Sequence, residues 1–492
     1  MSSVVIAGDT SGTVTLQAPA TAGSVLVTLP SASGTMAVTG GSPTFSTLTV
    51  TGDASISGLT VGKGGGSQSG NTVLGNNAFL NNSTGNYCVA VGYNALQANT
   101  TARNLSIGTN SSLATTTGGS NTVVGDSAFY TNTTGGSNAV FGYQALFSNT
   151  TASNNTAVGY QALYSNTLQS NTAVGNSAGY TNTTGSITAF GSQVLYANTT
   201  GSLNCGFGGF DGAFGVGAAL RYNTTGQSNH AFGYGTLTTN TTGNNNAGFG
   251  YNALNSNTTG SSNVAVGIQA LQANTTAINN TAVGYQAGYS NTTGANNVNI
   301  GFQAGYSGTS ASYNNVFIGY QAGYASTGQN NLAIGVASTL SSAGVNYELV
   351  IGNNTAVGKG GSTGFISPNS GGVYQGNNST TWSITSDARL KKNIVDNTTG
   401  LSAITAIQVR NFEYRTKDEI TELEPQNAID IKGVQLGAIA QELKEVLPDC
   451  VKIESTGVMS VDASNLTWYL INAVKELNAK VTALEAQLAG AK

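Results

Sequence analysis

Hydrophobic residues in the middle of this chain come in clusters of a few residues, separated by runs of Asn, Thr, Ser and Gly, and the clusters are periodic. A unit of the form N-x-A-V-G-Y-x-A-L-x-x-N-T-T-G-x-x recurs, with its glycine at Gly75, Gly92, Gly108, Gly125, Gly142, Gly159, Gly175, Gly191, Gly208, Gly233, Gly250, Gly267, Gly284, Gly301, Gly319, Gly335 and Gly352. These 17 anchors are spaced by 16 to 18 residues, except for one interval of 25. Such a unit is too short for a helical repeat. The triplet Ala157, Val158, Gly159 suits a brief strand that must turn sharply, and Asn-Thr-Thr-Gly, as at Asn132 to Gly135 or Asn257 to Gly260, suits the next corner. One unit cannot bury its own Val, Ala and Leu, so successive coils must stack into a solenoid with a continuous narrow core. At one strand spacing per coil, about 4.8 Å, seventeen coils make a rod on the order of 80 Å. So thin a core predicts that chains associate, and three around a common axis is the economical arrangement.

The pattern changes on either side of this array. Residues 1–63 alternate with period two, as in SVLVTLP and TFSTLTVTG, which predicts short strands, and Gly64 to Gly70 (GGGSQSG) predicts a flexible joint. The array proper covers 71–358, and 359–385 is a Gly/Ser-rich linker or tip. From Ser386 onward the composition becomes that of an ordinary globular domain. Ser386 or Asp387 can cap a helix start, and VQLGAIAQELKEVLP over 434–448 puts Leu436, Ile439, Ala440, Leu443 and Leu447 on one helical face before Pro448. Leu470, Val474, Leu477, Val481, Leu484 and Leu488 are spaced 4, 3, 4, 3, 4, the a/d seam of a short parallel coiled coil over 470–488.

Charge divides the chain at the same point. Lys+Arg 16 and Asp+Glu 20 give 36 charges in 492 residues, and only nine of them lie before residue 386. The net charge of −4 leaves no basic footprint for nucleic acid, and no run is long and apolar enough to cross a membrane. The opening MSSVVIAGDTSG has no secretory pattern, which predicts folding in the cytosol, and Cys88, Cys205 and Cys450, odd in number and far apart, are expected to be free thiols. No cofactor is implied. His230, the single histidine, is expected in an exposed loop with no Cys or carboxylate beside it, so no metal site follows.

The 25-residue interval carries eight extra residues, and insertions in a solenoid become flanking loops. Phe210, Phe214 and Tyr222 make this the candidate contact site within the rod, and Phe365, Tyr374 and Trp382 make a second one near its end. With charge almost absent, contacts would run through amides, hydroxyls and aromatic faces. Glycans suit such a surface, and their binding would be insensitive to salt.

The AVGYQAL and NxAIG segments resemble the β-roll heads of trimeric bacterial adhesins and, more closely, the Gly/Asn/Thr repeats of bacteriophage tail fibres. SVVIAGDTSGTVTLQAPATAGSV resembles the N-terminus of such fibres, which implies attachment to a phage tail or baseplate protein through this end. SDARLKKNI, GAIAQELKEVLPDCV and VDASNLTWYLINAVKELNAKV, together spanning 386–492, resemble the endosialidase-type intramolecular chaperone. The resemblance implies a mainly β, trimeric solenoid or β-roll rod with a C-terminal α-rich (α+β) chaperone domain that ends in a coiled coil. Val at a and Leu at d would alone favour two strands, so the number three rests on the resemblance.

It also implies self-cleavage by a serine-lysine dyad, with Ser386 as nucleophile, Lys391 as base and the Ser386–Asp387 bond as the favoured cut, the bond before Ser386 or one on a neighbouring chain being the alternatives. Arg389 would stabilise the oxyanion or hold Asp387, and Lys392 is the competing base, aimed elsewhere if the segment is helical. A neutral lysine can act as base where burial disfavours its charged form. The implied setting is the tail of a virion assembled in the host cytoplasm, with a host surface glycan or protein as receptor. Two other functions compete. A polysaccharide depolymerase needs paired carboxylates, and Asp126 and Asp211 lie about five coils, roughly 25 Å, apart, with Glu348 further on. A bacterial surface adhesin would need the signal and membrane barrel that the sequence lacks.

Overall fold

In a computed structural model the described residues are 53–56, 59–209, 217–308, 312–354, 356–367, 372–376, 382–383, 387–424, 428–429, 431–454 and 457–491. The chain divides into two compact units, Met1–Ile384 and Thr385–Lys492. Most of the N-terminal region expected to be β, residues 1 to 52, lies outside the described residues.

The first unit is a parallel β-solenoid with one short strand per coil. Eighteen described strands of three or four residues, from Thr72–Leu74 to Gly364–Ser367, pair in parallel, each with the strand one coil on. In the register Val140↔Ala157 and Ala157↔Ala173 the middle residue of each strand points inward and is fully buried. Small residues recur there because the opposite wall comes close. That wall carries Ala145 and Leu146, Ala162 and Leu163, Ala270 and Leu271, all buried.

Two backbone features make the coil possible. After each strand the anchor glycine takes a conformation closed to other residues: Gly142 has φ 134°, and a Cβ there would lie 2.3 Å from the carbonyl oxygen of Gly159. In most of the following turns two residues then enter the left-handed region, as Gln144 and Leu146 do at φ 51°. The leucine tolerates this because its side chain fills the core. Where the leucine gives way to glycine, a larger residue occupies the space: Gly323 sits where a Cβ would meet the Phe317 ring at 2.5 Å, and Phe317 itself replaces the usual mid-strand alanine.

Asparagine ladders run through the interior beside the apolar core. In one, Asn182 Nδ2 donates to Asn166 Oδ1 at 3.0 Å and Asn149 Nδ2 to Asn132 Oδ1 at 2.9 Å, while each asparagine also holds the corner that follows it. In the other, each backbone N–H before a strand donates to the asparagine one coil earlier, as Asn155 N does to Asn138 Oδ1 at 2.9 Å. The Asn-Thr-Thr-Gly corners are thus turns, as expected, but their asparagines face inward. Buried amides, most of them paired along these ladders although Asn149 Oδ1 and Asn155 Nδ2 have no hydrogen-bond partner, replace much of the hydrophobic volume that so narrow a coil lacks.

Both ends of the solenoid are closed. Ala54–Ile56 and Leu59–Gly62 form an antiparallel pair whose second strand pairs with Thr72–Leu74. The GGGSQSG segment, expected to be a flexible joint, packs on the first coil instead. Gly65 N donates to Phe79 O at 3.0 Å, and the Asp53 carboxylate accepts from Lys63 N at 2.6 Å and Gly64 N at 3.0 Å. Its glycines meet a close-approach requirement, since a Cβ on Gly65 would lie 2.2 Å from Leu80 O. At the other end the parallel stack continues past residue 358 to Gly364–Ser367, and the antiparallel strands Val373–Gln375 and Trp382–Ser383 follow.

The second unit is small and mixed. Strands Arg410–Phe412 and Gln435–Gly437 pair antiparallel, as do Val451–Ile453 and Met459–Val461. Its helices are α1 (Leu401–Ala406), α2 (Ala440–Val446) and α3 (Ala463–Gly490). Helix α2 is half the length expected for 434–448. Leu436 lies in the Gln435–Gly437 strand and is exposed, because pairing with Arg410–Phe412 overrides the helical spacing, while Leu443 and Leu447 are buried as predicted. Leu443, Leu447, Cys450 and Tyr469 form the core, with Ile404 and Ile407 against it. The 28-residue α3 is capped by Asp462, whose carboxylate accepts from Ser464 N at 3.1 Å. Leu470, Val474, Leu477, Val481, Leu484 and Leu488 all lie on it and are 44% to 69% exposed in the single chain.

Candidate functional site

The segment that opens the second unit carries the residues expected to cleave the chain. Ser386 lies outside the described residues. Asp387 caps a 3-10 turn over Ala388–Leu390, accepting from Arg389 N at 2.8 Å. The predicted cap is present, but it starts a single turn and not an α-helix. Arg389 folds back on the same carboxylate, with Nε at 3.1 Å from both oxygens and Nη2 at 2.5 Å from Oδ2. Of the two tasks expected of Arg389, holding Asp387 is the one its side chain performs in the single chain. The guanidinium keeps the Asp387 carboxyl below its ordinary range, through the side-chain pair first and the backbone bond second.

Lys391 follows the turn in extended conformation, φ −115° and ψ 149°, and is exposed like Lys392. The expected divergence of Lys391 and Lys392 assumed a helix. The chain is extended at Lys391, so that premise does not hold. Residues 391 to 399 run exposed across the unit and are tied down at the far end, where Asn472 Nδ2 of α3 donates to Asn397 O at 2.8 Å and Thr399 O at 3.2 Å. The Glu476 carboxylate accepts from Leu401 N at 3.0 Å and so closes the start of α1. Helix α3 therefore anchors the segment that leads to the candidate dyad.

Along the solenoid the expected contact residues separate. Phe210 and Phe214 fall in 210–216, outside the described residues. The stack closes across the insertion: Gly235 N donates to Gly217 O and Ala219 N to Gly208 O, at 2.8 and 2.9 Å. Tyr222 is 46% exposed, with Arg221 Cζ 5.2 Å from its ring centroid. Phe365, expected at a contact surface, is buried at 6% exposure, because its strand continues the stack and turns the ring into the core beneath Lys359 Nζ. Tyr374 pairs in register with Phe365 and Ser383, and Trp382 with Gln375.

The aromatic rings form ladders that the sequence reading missed. Tyr130, Phe147, Tyr164, Tyr180 and Tyr196 stack in succession with centroids 5.1 to 5.2 Å apart. Phe190, Phe207, Phe232 and Phe249 do the same at 4.8 to 4.9 Å. Ring faces expected to stack on sugars are thus covered by one another at these positions. The signal was present in the recurrence of aromatics at the coil period.

His230 is not in a loop. It opens the strand His230–Phe232, in register with Cys205, which sequence reading missed because the insertion puts the two 25 residues apart. Among the described residues no group of three His, Cys, Asp or Glu side chains that could hold a metal ion is present. Cys88 and Cys450 are buried, and burial pushes all three thiols up in pKa. Asp126 is exposed and accepts from Ser127 Oγ at 2.7 Å. Glu348 ends the second asparagine ladder, buried, accepting from Ser341 N at 2.8 Å, Ser341 Oγ at 3.1 Å and Gly360 N at 2.6 Å. Asp126 and Glu348 stand about thirteen coils, roughly 60 Å, apart, so one chain does not pair them for glycoside hydrolysis.

A mainly β solenoid followed by a small unit containing α-helices defines the class of protein. Residues 386–452 match the family model described as chaperone of endosialidase, a peptidase family. The second unit thus carries an endosialidase-type chaperone domain, and the match ends at Lys452, before α3 begins. Neither the curated proteins nor the solved structures yield a match to the chain. Among the described residues no helix is long and apolar enough to cross a membrane.

Proposed function

We propose that this chain is a homotrimeric tail fibre of a tailed phage. Its solenoid reaches toward a host surface glycan or protein, its N-terminal region joins the tail or baseplate, and its C-terminal unit acts as an intramolecular chaperone that cuts itself away through Ser386 and Lys391 in the host cytoplasm. The observation that carries this reading is the family match starting at Ser386, immediately after the solenoid unit ends. The physical need for a chaperone lies in the repeat. Coils about 17 residues long are so alike that three chains could associate one coil out of register at little local cost, and a clamp at one end removes that ambiguity.

The exposure of Lys391 in the single chain supports an ordered sequence of events. A lysine becomes a useful base only when dehydrated. Packing of copies around the segment would supply the dehydration, so cleavage would follow assembly. Intact mass combined with light scattering tests the reading. The expected result is a trimer of chains ending near residue 386, together with a released fragment of about 106 residues, the length that cleavage next to Ser386 implies. A stable monomer of full mass, 49.5 kDa, would overturn it.

A further inference from the structure

On the outward face of the solenoid's sheet one position per strand is apolar along the whole length and the other mixes Val, Leu and Ala with Thr, Cys205 and His230, and the inward face is buried already. In each strand the middle residue points in and the first and third point out; Val264 and Val266 are exposed where Ala265 is fully buried. The third position is aliphatic or Phe in all eighteen parallel strands, from Leu74 through Phe141, Phe232 and Val283 to Ile366. No Asp, Glu, Lys or Arg occupies the first or third position anywhere in that run. A sheet with one wet face alternates apolar-in and polar-out, whereas strands apolar on both sides belong to sheets covered on both sides.

From this face the geometry points to a self-association surface: further copies of the chain, parallel and in register, pack their sheets against it. The inference rests on the trimeric reading above and adds which face of the coil turns inward. Two outward side chains across the strand and seventeen intervals of about 4.8 Å give a strip roughly 80 Å by 10 Å. That is on the order of 800 Å² per copy, the size of a standard stable interface. Its corrugation repeats once per coil, as in the Phe190, Phe207, Phe232 and Phe249 ladder at 4.8 to 4.9 Å, so the best-fitting occupant has the same pitch. The chain itself has that pitch. With no Asp, Glu, Lys or Arg on the strip, nothing selects an oppositely charged partner. The exposed a/d seam of α3, Leu470 to Leu488, independently asks for a parallel copy.

The unaltered protein contains a probe. Cys205, in register with His230, lies at an outward strand position on this face, two residues from Phe207, while Cys88 and Cys450 are buried. A short bismaleimide should join Cys205 to Cys205 between copies, identified by peptide mapping. Val266→Glu with Ile300→Glu should dissociate the rod or lower its melting temperature by at least about 10 °C per pair. Thr134→Glu with Thr259→Glu, exposed at corners off this face, should leave it unchanged. If the protein is a trimer but Cys205 does not cross-link between copies, the face is wrong and the trimer stands. A trimer with unchanged melting in the Val266/Ile300 variant likewise rejects this face and leaves the trimer intact. If the unaltered protein is a monomer, both readings fall. Should the glutamate variant fail to fold, the Cys205 cross-link decides.

Discussion

Asn198 donates from Nδ2 to Asn182 Oδ1 at 2.7 Å and to Gly201 O at 3.0 Å, while its own Oδ1 accepts from Asn223 Nδ2 at 2.8 Å. One fully buried side chain thereby links three coils and one corner. Asn198→Ala leaves the Asn182 oxygen, the Asn223 amide and the Gly201 carbonyl each short of a partner. At about 1 to 3 kcal/mol per orphaned buried group, partly relieved by relaxation, the loss should be on the order of 3 kcal/mol per chain. Asn198→Asp should cost more, since a carboxylate cannot donate to either oxygen. Denaturant unfolding of the solenoid measures both, and an alanine variant as stable as the parent would show that the ladder is not what holds the coils.

The period, the anchor glycines and the corners were legible in the sequence because each is a local requirement: Gly142 must be glycine whatever surrounds it. The inward facing of the asparagines was not. A turn asparagine and a ladder asparagine have the same neighbours in sequence, and only stacking at 16 to 25 residues' separation brings Asn166, Asn182, Asn198 and Asn223 together. The same limit hid the Cys205 and His230 pairing. In the C-terminal unit, the helical spacing from Leu436 to Leu447 was real as a pattern. It lost to strand pairing at Leu436, an outcome set by Arg410–Phe412, more than twenty residues upstream.

Phe317 and Gly323 form a compensated pair. Phe317→Ala alone should open a cavity and cost about 3 to 5 kcal/mol, and Gly323→Leu alone should collide with the ring and cost at least as much as a typical overpacking, about 1 to 3 kcal/mol. Together they restore the alanine and leucine of the common coil, and the left-handed conformation at Gly323, φ 60°, is one that Leu146 and Leu163 already adopt. The double variant should recover most of the loss. Unfolding free energies of the four proteins give the coupling, and simple additivity would refute the compensation.

Acid should unfold the C-terminal unit before the solenoid. Arg389 depresses the Asp387 carboxyl, Thr416 that of Glu419, Arg415 that of Glu422 to about 2, and Lys452 that of Asp462. Each folded value lies below the unfolded one, so the stabilisation is full above about pH 4 and is lost as pH falls through the folded values. These groups are exposed, so each contributes modestly. The described solenoid residues include only Asp53, Asp126 and Glu348 as carboxylates. In the uncleaved Ser386→Ala protein the helical circular-dichroism signal should weaken between about pH 4 and 2, while protease resistance of the solenoid persists. Loss of both together would contradict this.

Self-cleavage gives the sharpest test of chemistry, because the two lysines after the Arg389 turn are neighbours with different expected roles. Ser386→Ala and Lys391→Ala should each leave full-length chains that still fold and trimerise, with cleavage slowed at least about a thousandfold. Lys391→Arg should be as inactive as the alanine variant, since a guanidinium stays charged and cannot take the serine proton. Lys392→Ala should still cut. Cleavage should depend on assembly, so that disrupting the α3 seam, for instance by Leu477→Glu, slows it without touching the dyad. Deleting 386–492 should leave chains that misassemble, because near-identical coils then have nothing to set their mutual register. Once cleaved, dissociated chains should fail to reassemble, an outcome that refolding after denaturation measures. Two fragments from the Ser386→Ala protein on a denaturing gel would remove Ser386 as nucleophile, and normal trimers from the truncated chain would remove the chaperone role.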